Sequence, residues 1–175
     1  MLRHLPNAIS LARLSLTPLI VYLLHAREYT AALGWIILAA FTDYLDGALA
    51  RRMQVHSPVG KMLDPIADKA LLSGIFLMLT IDAAIPRWLG AIVIGRDAAI
   101  LLAAGVALLF SKTRREFPPS IWGKISTGVQ IGYILGVVVT LTGFPGAWLV
   151  GTLGVGMTAA ATLWSAAHYA WRAVR

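Results

Sequence analysis

The sequence lacks cysteine altogether and has little charge for its length. Its 175 residues include no Cys, eight acids and 13% charged residues, against 58% hydrophobic residues. The absence of cysteine excludes disulfides, thiolate zinc sites and a cysteine nucleophile. Soluble domains have about a quarter of their residues charged. The low charge and the mean hydropathy of +0.75 therefore predict an integral membrane protein.

The longest stretch without charge lies in the C-terminal third. Residues 125–171 contain no Asp, Glu, Lys or Arg, and Gly143-Phe144-Pro145-Gly146 interrupts them. This turn signal leaves two segments of about 20 residues, each long enough to cross a bilayer as a helix. The segments predict a helical hairpin that serves as a wall or scaffold. Gly128, Gly132 and Gly136 recur every four residues and predict a face on which another helix can approach closely.

Apolar runs along the whole chain predict six helices, at 5–25, 29–51, 61–81, 87–110, 121–142 and 147–171. Ten basic residues flank the spans on the side of both termini, and only Arg27 and Arg87 flank the other side. By the positive-inside rule the termini and the acid-rich stretch face the cytoplasm. We therefore predict an all-α integral membrane protein, a single-domain bundle of six transmembrane helices over residues 1–175, in the inner or plasma membrane. The net charge of +7 fits this topology rather than nucleic-acid binding, because the basic residues form no stripe.

Half of the acids fall within 26 residues, as Asp43, Asp46, Asp64 and Asp68. An unpaired carboxylate at membrane depth costs on the order of 3 kcal/mol, so such acids are usually paired, metal-bound or next to a polar cavity. Helical spacing of three and four puts each pair on one face of its helix. The short segment between the pairs, with Ser57-Pro58 as a turn signal, can fold the second face back against the first. Four carboxylates without Cys ligands predict two hard cations, Mg²⁺ or Mn²⁺.

Small residues interrupt the same two faces. Gly47, Ala50 and Gly60 remove side-chain bulk beside the carboxylates and leave room for a ligand. Metal ions beside an open cleft suit a pyrophosphate and an in-line displacement at phosphorus. The alternative, a set of capping or salt-bridged acids at helix ends, is disfavoured by the cost of carboxylates at this depth.

The full motif then resembles a known family. The pattern D-x2-D-G-x2-A-R-x8-G-x3-D-x3-D is matched at all of its fixed positions: Asp43, Asp46, Gly47, Ala50, Arg51, Gly60, Asp64 and Asp68. It is similar to the signature of the CDP-alcohol phosphatidyltransferases. The resemblance implies a six-helix membrane enzyme, usually a homodimer, that transfers a phosphatidyl group from CDP-diacylglycerol to an alcohol and releases CMP.

The resemblance also implies roles for the matched residues. The four aspartates would bind two metal ions, and Asp68 would also be the general base. A base beside the alcohol agrees with the chemistry, because an alcohol is a poor nucleophile until its proton is taken. The CDP moiety would be held by Asp46, Gly47, Ala50, Arg51 and Gly60.

Two further segments, 5–13 and 63–69, resemble the glycerol-lipid branch of the family, which includes phosphatidylglycerophosphate synthases and the CDP-alcohol type of cardiolipin synthase. Arg96 and Lys124 resemble basic positions that would hold the phosphate of the acceptor. The alternatives are a local pair of Arg96 with Asp97 and a topogenic role for Lys124. Phosphatidylglycerophosphate synthases commonly have Glu after this Arg. This chain has Asp97 there, and Arg-Asp before an apolar run resembles the cardiolipin synthases. We expect glycerol 3-phosphate as the acceptor, with phosphatidylglycerol as the alternative.

Two other kinds of protein use acids in membranes. Membrane prenyltransferases also pair Asp-rich motifs with Mg²⁺, but their motifs lie far apart in a longer chain, whereas one short segment separates them here. The acids could instead form a divalent-cation permeation site. In that case Gly47, Ala50 and Arg51 would have no evident purpose, so an enzyme is favoured.

Overall fold

The computed structural model describes residues 5–53, 58–110, 121–144 and 148–174, and the side chains within 14–42, 69–102, 121–144 and 150–171. The regular elements of these residues are all helices: α1 (Leu5–His25), α2 (Tyr29–Met53), α3 (Pro58–Ile81), α4 (Arg87–Phe110), α5 (Ile121–Leu141) and α6 (Trp148–Val174). Each lies where a helix was predicted, so the prediction of six helices is confirmed. The chain divides into two compact units, Met1–Leu79 and Thr80–Arg175.

In the first unit a tight turn joins α1 to α2. The amide of Glu28 donates to the carbonyl of Leu23 at 2.9 Å, and the amide of Arg27 donates to that of Leu24 at 3.0 Å. These two bonds form a Schellman cap, which satisfies carbonyls that the helix end would leave unpaired. Arg27 has a φ of 61°, in the left-handed region that glycine usually occupies in this cap. The cap therefore ends α1 sharply and lets α2 pack against it.

The packing of α1 on α2 in the first unit uses small and branched side chains. Ile20 and Leu24 of α1 and Ala32, Ile36 and Ala39 of α2 are buried, at spacings of three or four residues. Such spacing places them on one face of each helix. A Cβ built on Gly74 of α3 would lie 3.4 Å from the methyl groups of Thr17 and Val21, so α3 contacts α1 at this point.

In the second unit α6 packs against both α4 and α5. The helix α4 begins after Pro86, whose carbonyl accepts hydrogen bonds from the amides of Leu89 and Gly90. The helix α5 ends at the predicted turn, where Gly143 has a φ of 84° that strongly favours glycine. The hairpin prediction is confirmed in its two helices and in this glycine; residues 145–147 lie outside the described ones.

The hairpin has its polar side chains inside and its large apolar side chains outside. The buried positions of α6 include Thr158, Thr162 and Ser165, whereas Leu153 and Trp164 are more than 60% exposed. This distribution suits a helix pair in a lipid bilayer, where the interfaces between helices favour small and polar residues. Both α5 and the segment Val150–Trp171 are long and apolar enough to cross a membrane. That all six helices cross stays a prediction.

The glycine face of α5 is only partly as predicted. A Cβ on Gly136 would overlap Val150 Cγ1, so α6 does approach closely there. A Cβ on Gly128 or Gly132 would meet nothing described within 4 Å, and both residues are exposed. The predicted close approach is therefore confirmed at Gly136, and at Gly128 and Gly132 it stays a prediction. The buried face of α5 instead includes Gly123, Ser126, Gln130 and Tyr133.

The helix α6 makes a second close contact with α5, at Gly154. A Cβ on Gly154 would lie 2.6 Å from Cδ2 of the Tyr133 ring, which is only 4% exposed. We expect Gly154→Ala to destabilise the protein by about 1–3 kcal/mol, because a buried ring cannot move aside freely. Thermal unfolding in detergent measures this, with Gly156→Ala as the matched control, since a Cβ there meets nothing described within 4 Å. Equal melting temperatures for the two variants would contradict the prediction.

Candidate active site

The four aspartates of the motif lie on the predicted helices. Asp43 and Asp46 are in the C-terminal half of α2, and Asp64 and Asp68 are near the start of α3. Positions three and four apart share a face of a helix, so each pair occupies one face. The side chains of the motif and residues 54–57 are outside the described part of the chain. The convergence of the two faces therefore stays a prediction.

The chemistry of this donor set suits hard divalent cations. The set consists of four carboxylates, and carboxylate oxygens are the ligands that Mg²⁺ and Mn²⁺ favour. Among the side chains that the structure does describe, no group of three His, Asp or Glu residues could hold a metal ion. The aspartates of α2 and α3 stay the predicted metal ligands.

Arg96, the predicted acceptor ligand, is buried in the second unit. It lies in the middle of α4 and is 8% exposed. Its Nη1 donates to Oδ1 of Asp97 at 2.5 Å, and its Nη2 donates to Oγ of Ser165 on α6 at 2.6 Å. The local pair with Asp97, the alternative raised by the sequence, is therefore present. Among the described residues no group accepts from Arg96 Nε, which is buried.

An aromatic ring completes the surroundings of this guanidinium. The centroid of the Tyr169 ring lies 5.8 Å from Arg96 Cζ, within the range of a cation–π interaction. Tyr169 also packs on α5 at Gly123, where a Cβ would lie 2.8 Å from the phenol oxygen. The absence of a side chain at Gly123 thus lets the phenol end of Tyr169 approach α5 while its ring contacts Arg96.

Lys124 has different surroundings from Arg96. It follows Gly123 in the first turn of α5, and its side chain is exposed. Arg96, by contrast, is buried and already bonded through both Nη atoms. The two predicted acceptor ligands thus differ in exposure, since Arg96 is buried and Lys124 is exposed. An acceptor-binding role for either residue stays a prediction.

Sequence reasoning missed the polar contacts inside the C-terminal hairpin. The amide of Gln130 donates to Oγ1 of Thr162 at 3.0 Å and to Oγ of Ser126 at 3.4 Å. Ser165 lies on the same stripe of α6 as Thr162, three residues further along. The signal was present as hydroxyl and amide side chains at helical spacing in an otherwise apolar stretch. The two helices of the hairpin are thus joined by hydrogen bonds between polar side chains, which the lack of charge did not predict.

Comparison with known proteins agrees with the motif. A family model described as CDP-alcohol phosphatidyltransferase matches residues 3–170. A Pseudomonas fluorescens protein named CDP-diacylglycerol–glycerol-3-phosphate 3-phosphatidyltransferase is 32% identical, over 95% of this chain and 88% of its own length. An Aquifex aeolicus protein with the same name is 34% identical, over 71% of this chain and 69% of its own length.

A second name also occurs among the relatives. A Streptomyces coelicolor protein named cardiolipin synthase (CMP-forming) is 33% identical, over 70% of this chain and 59% of its own length. Some relatives are much longer, and the chain spans 45% of one and 25% of another.

Proposed function

This chain belongs to the CDP-alcohol phosphatidyltransferase family, and on that premise we propose that it transfers a phosphatidyl group from CDP-diacylglycerol to glycerol 3-phosphate and releases CMP. The observation that carries the proposal is the motif of eight fixed residues, which falls at the end of α2 and the start of α3. In this arrangement two short helix segments would carry all the residues that bind CDP-diacylglycerol.

The aspartates would hold two divalent ions, Mg²⁺ or Mn²⁺. Asp43 and Asp46 would supply ligands from α2, and Asp64 and Asp68 from α3. Bound ions of this kind neutralise the charge of a pyrophosphate and make the nucleotide a better leaving group. Asp68 would accept the proton of the acceptor hydroxyl as that oxygen attacks the β-phosphorus of the donor, the one that carries the diacylglycerol.

The remaining residues of the motif would hold the nucleotide. Gly47, Ala50 and Gly60 have little or no side chain, so the CDP moiety could lie close to the helices there, with Asp46 among its contacts. Arg51 carries a fixed positive charge and can donate two parallel hydrogen bonds to phosphate oxygens. Together these residues would fix the donor before the acceptor attacks.

The acceptor phosphate would be bound by Arg96 and Lys124. Glycerol 3-phosphate is supported by the names of two relatives that this chain matches over more than two thirds of their length. Phosphatidylglycerol, which would make the chain a cardiolipin synthase, is the second candidate. It is favoured by Asp97 after Arg96 and by the name of the Streptomyces coelicolor relative.

We further propose that residues 1–175 act as one catalytic domain whose six helices cross the inner or plasma membrane. The family match over residues 3–170 supports a single functional domain. Large exposed apolar side chains, such as Leu102 at 69% and Tyr22 at 65%, support contact with lipid on several helices. The active site would face the cytoplasm, and the enzyme would act as a homodimer.

The test is release of CMP by the purified protein with CDP-diacylglycerol, Mg²⁺ and one acceptor at a time. The acceptors are glycerol 3-phosphate, phosphatidylglycerol, inositol phosphate and serine, and lipid mass spectrometry identifies each product. We expect CMP and phosphatidylglycerophosphate with glycerol 3-phosphate. Product with phosphatidylglycerol alone would establish the second candidate, and CMP release with none of the four would contradict the enzyme proposal.

Substitution of Arg96 tests the acceptor site. We expect Arg96→Ala to raise the acceptor KM about 10-fold or more, because a hydrogen bond to a charged group contributes about 1.5–3 kcal/mol. The KM for CDP-diacylglycerol should change much less. Steady-state kinetics with each substrate varied in turn measures both constants. A larger rise in the donor KM than in the acceptor KM would contradict this assignment.

A further inference from the structure

Two protein groups on different helices hold the Arg96 guanidinium. Asp97, the next residue on α4, accepts from Nη1, and Ser165 on α6 accepts from Nη2. All three residues are buried, with Ser165 at 0% and Asp97 at 2% exposure. The contacts therefore form a built site within the second unit, closed on one face by the Tyr169 ring.

The two contacts differ in what they do to Arg96. Asp97 balances the charge, which a buried guanidinium requires. A contact to Nη1 alone, however, fixes the planar group through one of its two terminal nitrogens only. Ser165 adds a second point of attachment on the same plane and brings no charge of its own. The hydroxyl therefore fixes orientation without further reducing the attraction of Arg96 for an anion.

The orientation matters because one nitrogen of the guanidinium has no partner among the described residues. Arg96 Nε is buried and has no acceptor among the described residues. A buried donor without a partner costs the free energy of its lost hydration, which a ligand oxygen at this position would recover. Each Nη atom is bonded to protein through one of its two N–H groups, whereas Nε is the guanidinium nitrogen with no acceptor among the described residues.

We propose that Ser165 is a positioning residue for the acceptor: its hydroxyl holds Arg96 Nη2 so that Nε is presented to the acceptor phosphate. The inference rests on the proposed function, in which Arg96 binds that phosphate. It gives α6, which has no charged residue before Arg172, a direct part in acceptor binding.

The experiment compares Ser165→Ala with the isosteric pair Ser165→Thr and Ser165→Val. Thr and Val have nearly the same shape, so any packing defect is shared and only the hydroxyl differs. We expect Ser165→Ala and Ser165→Val to raise the acceptor KM by roughly fivefold or more, less than for Arg96→Ala, because the charged group itself is kept and only its orientation is lost. Ser165→Thr should restore most of the affinity, and the donor KM should stay near the wild-type value in all three.

The matched control is Thr158→Val, also on α6. The Thr158 side chain is buried, and its hydroxyl has no hydrogen-bond partner among the described residues. This substitution therefore removes a buried hydroxyl from the same helix without touching Arg96. We expect it to leave the acceptor KM unchanged.

A double variant separates positioning from packing. In the Arg96→Ala background, Ser165→Ala should add no further rise in acceptor KM, because the group that it positions is gone. A full additive effect, or equal kinetics for Ser165→Thr and Ser165→Val, would overturn the proposal. If Arg96→Ala itself leaves the acceptor KM unchanged, the assignment of Arg96 fails. If only the Ser165 variants lack an effect, the positioning role alone fails.

Discussion

Asp68→Asn is expected to lower the rate of CMP release by about 10³-fold, in the range that a positioned general base contributes. Asparagine has nearly the shape of aspartate but cannot accept the proton of the acceptor hydroxyl. It is also a weaker ligand for a divalent cation, since it lacks the negative charge. The rate is measured as CMP formed per enzyme at saturating CDP-diacylglycerol and glycerol 3-phosphate.

Asp82→Asn is the matched control for this variant. Asp82 is an exposed aspartate in the turn before α4, outside the motif. The same change of charge there should leave the rate within about twofold, because exposed substitutions away from a site have small effects. Wild-type activity in Asp68→Asn would show that Asp68 is not the base. Equal losses in both variants would point to a general effect of charge.

Removal of divalent cations is the second change with a large expected effect. After dialysis against a chelator, we expect CMP release to fall at least about 100-fold, because several kcal/mol of charge stabilisation is lost. Added Mg²⁺ or Mn²⁺ should restore it. Activity that survives chelation would contradict the assignment of the four aspartates as metal ligands.

A stability measurement makes the same test without turnover. A ligand that binds only the folded state raises the melting temperature with its concentration. Mn²⁺ should therefore raise the melting temperature of the wild-type protein and raise that of Asp64→Asn much less. An equal rise in both would indicate binding at some other place.

The sequence predicted the helices well because their physical signals are local. Long apolar runs bounded by Pro, Gly and charged residues define a helix without knowledge of its neighbours. The predicted ends at 142 and 147 for the hairpin compare with Leu141 and Trp148 in the structure. The motif positions on α2 and α3 followed from the same reasoning.

The contacts of Arg96 were predicted only in part, as one of two alternatives. Neighbouring residues on a helix point in different directions, which argued against a pair with Asp97. The long Arg side chain nevertheless bends to reach it, and the fork gains a second partner on α6, 69 residues further along the chain. A contact between residues so far apart in the sequence leaves no local pattern from which it could be predicted. The face that α5 presents to α6 was missed for the same reason, since glycine spacing does not say which side a neighbour occupies.

The most direct test of the central claim is a competition in which the purified enzyme receives CDP-diacylglycerol, Mg²⁺ and equal concentrations of glycerol 3-phosphate and phosphatidylglycerol. Lipid mass spectrometry then measures both products in one reaction. The amount of CMP released gives the total number of turnovers. We predict phosphatidylglycerophosphate as the main product, in amounts that match the CMP released. Cardiolipin as the main product would contradict the choice of acceptor, and CMP without either lipid would contradict phosphatidyl transfer to a glycerol-type acceptor.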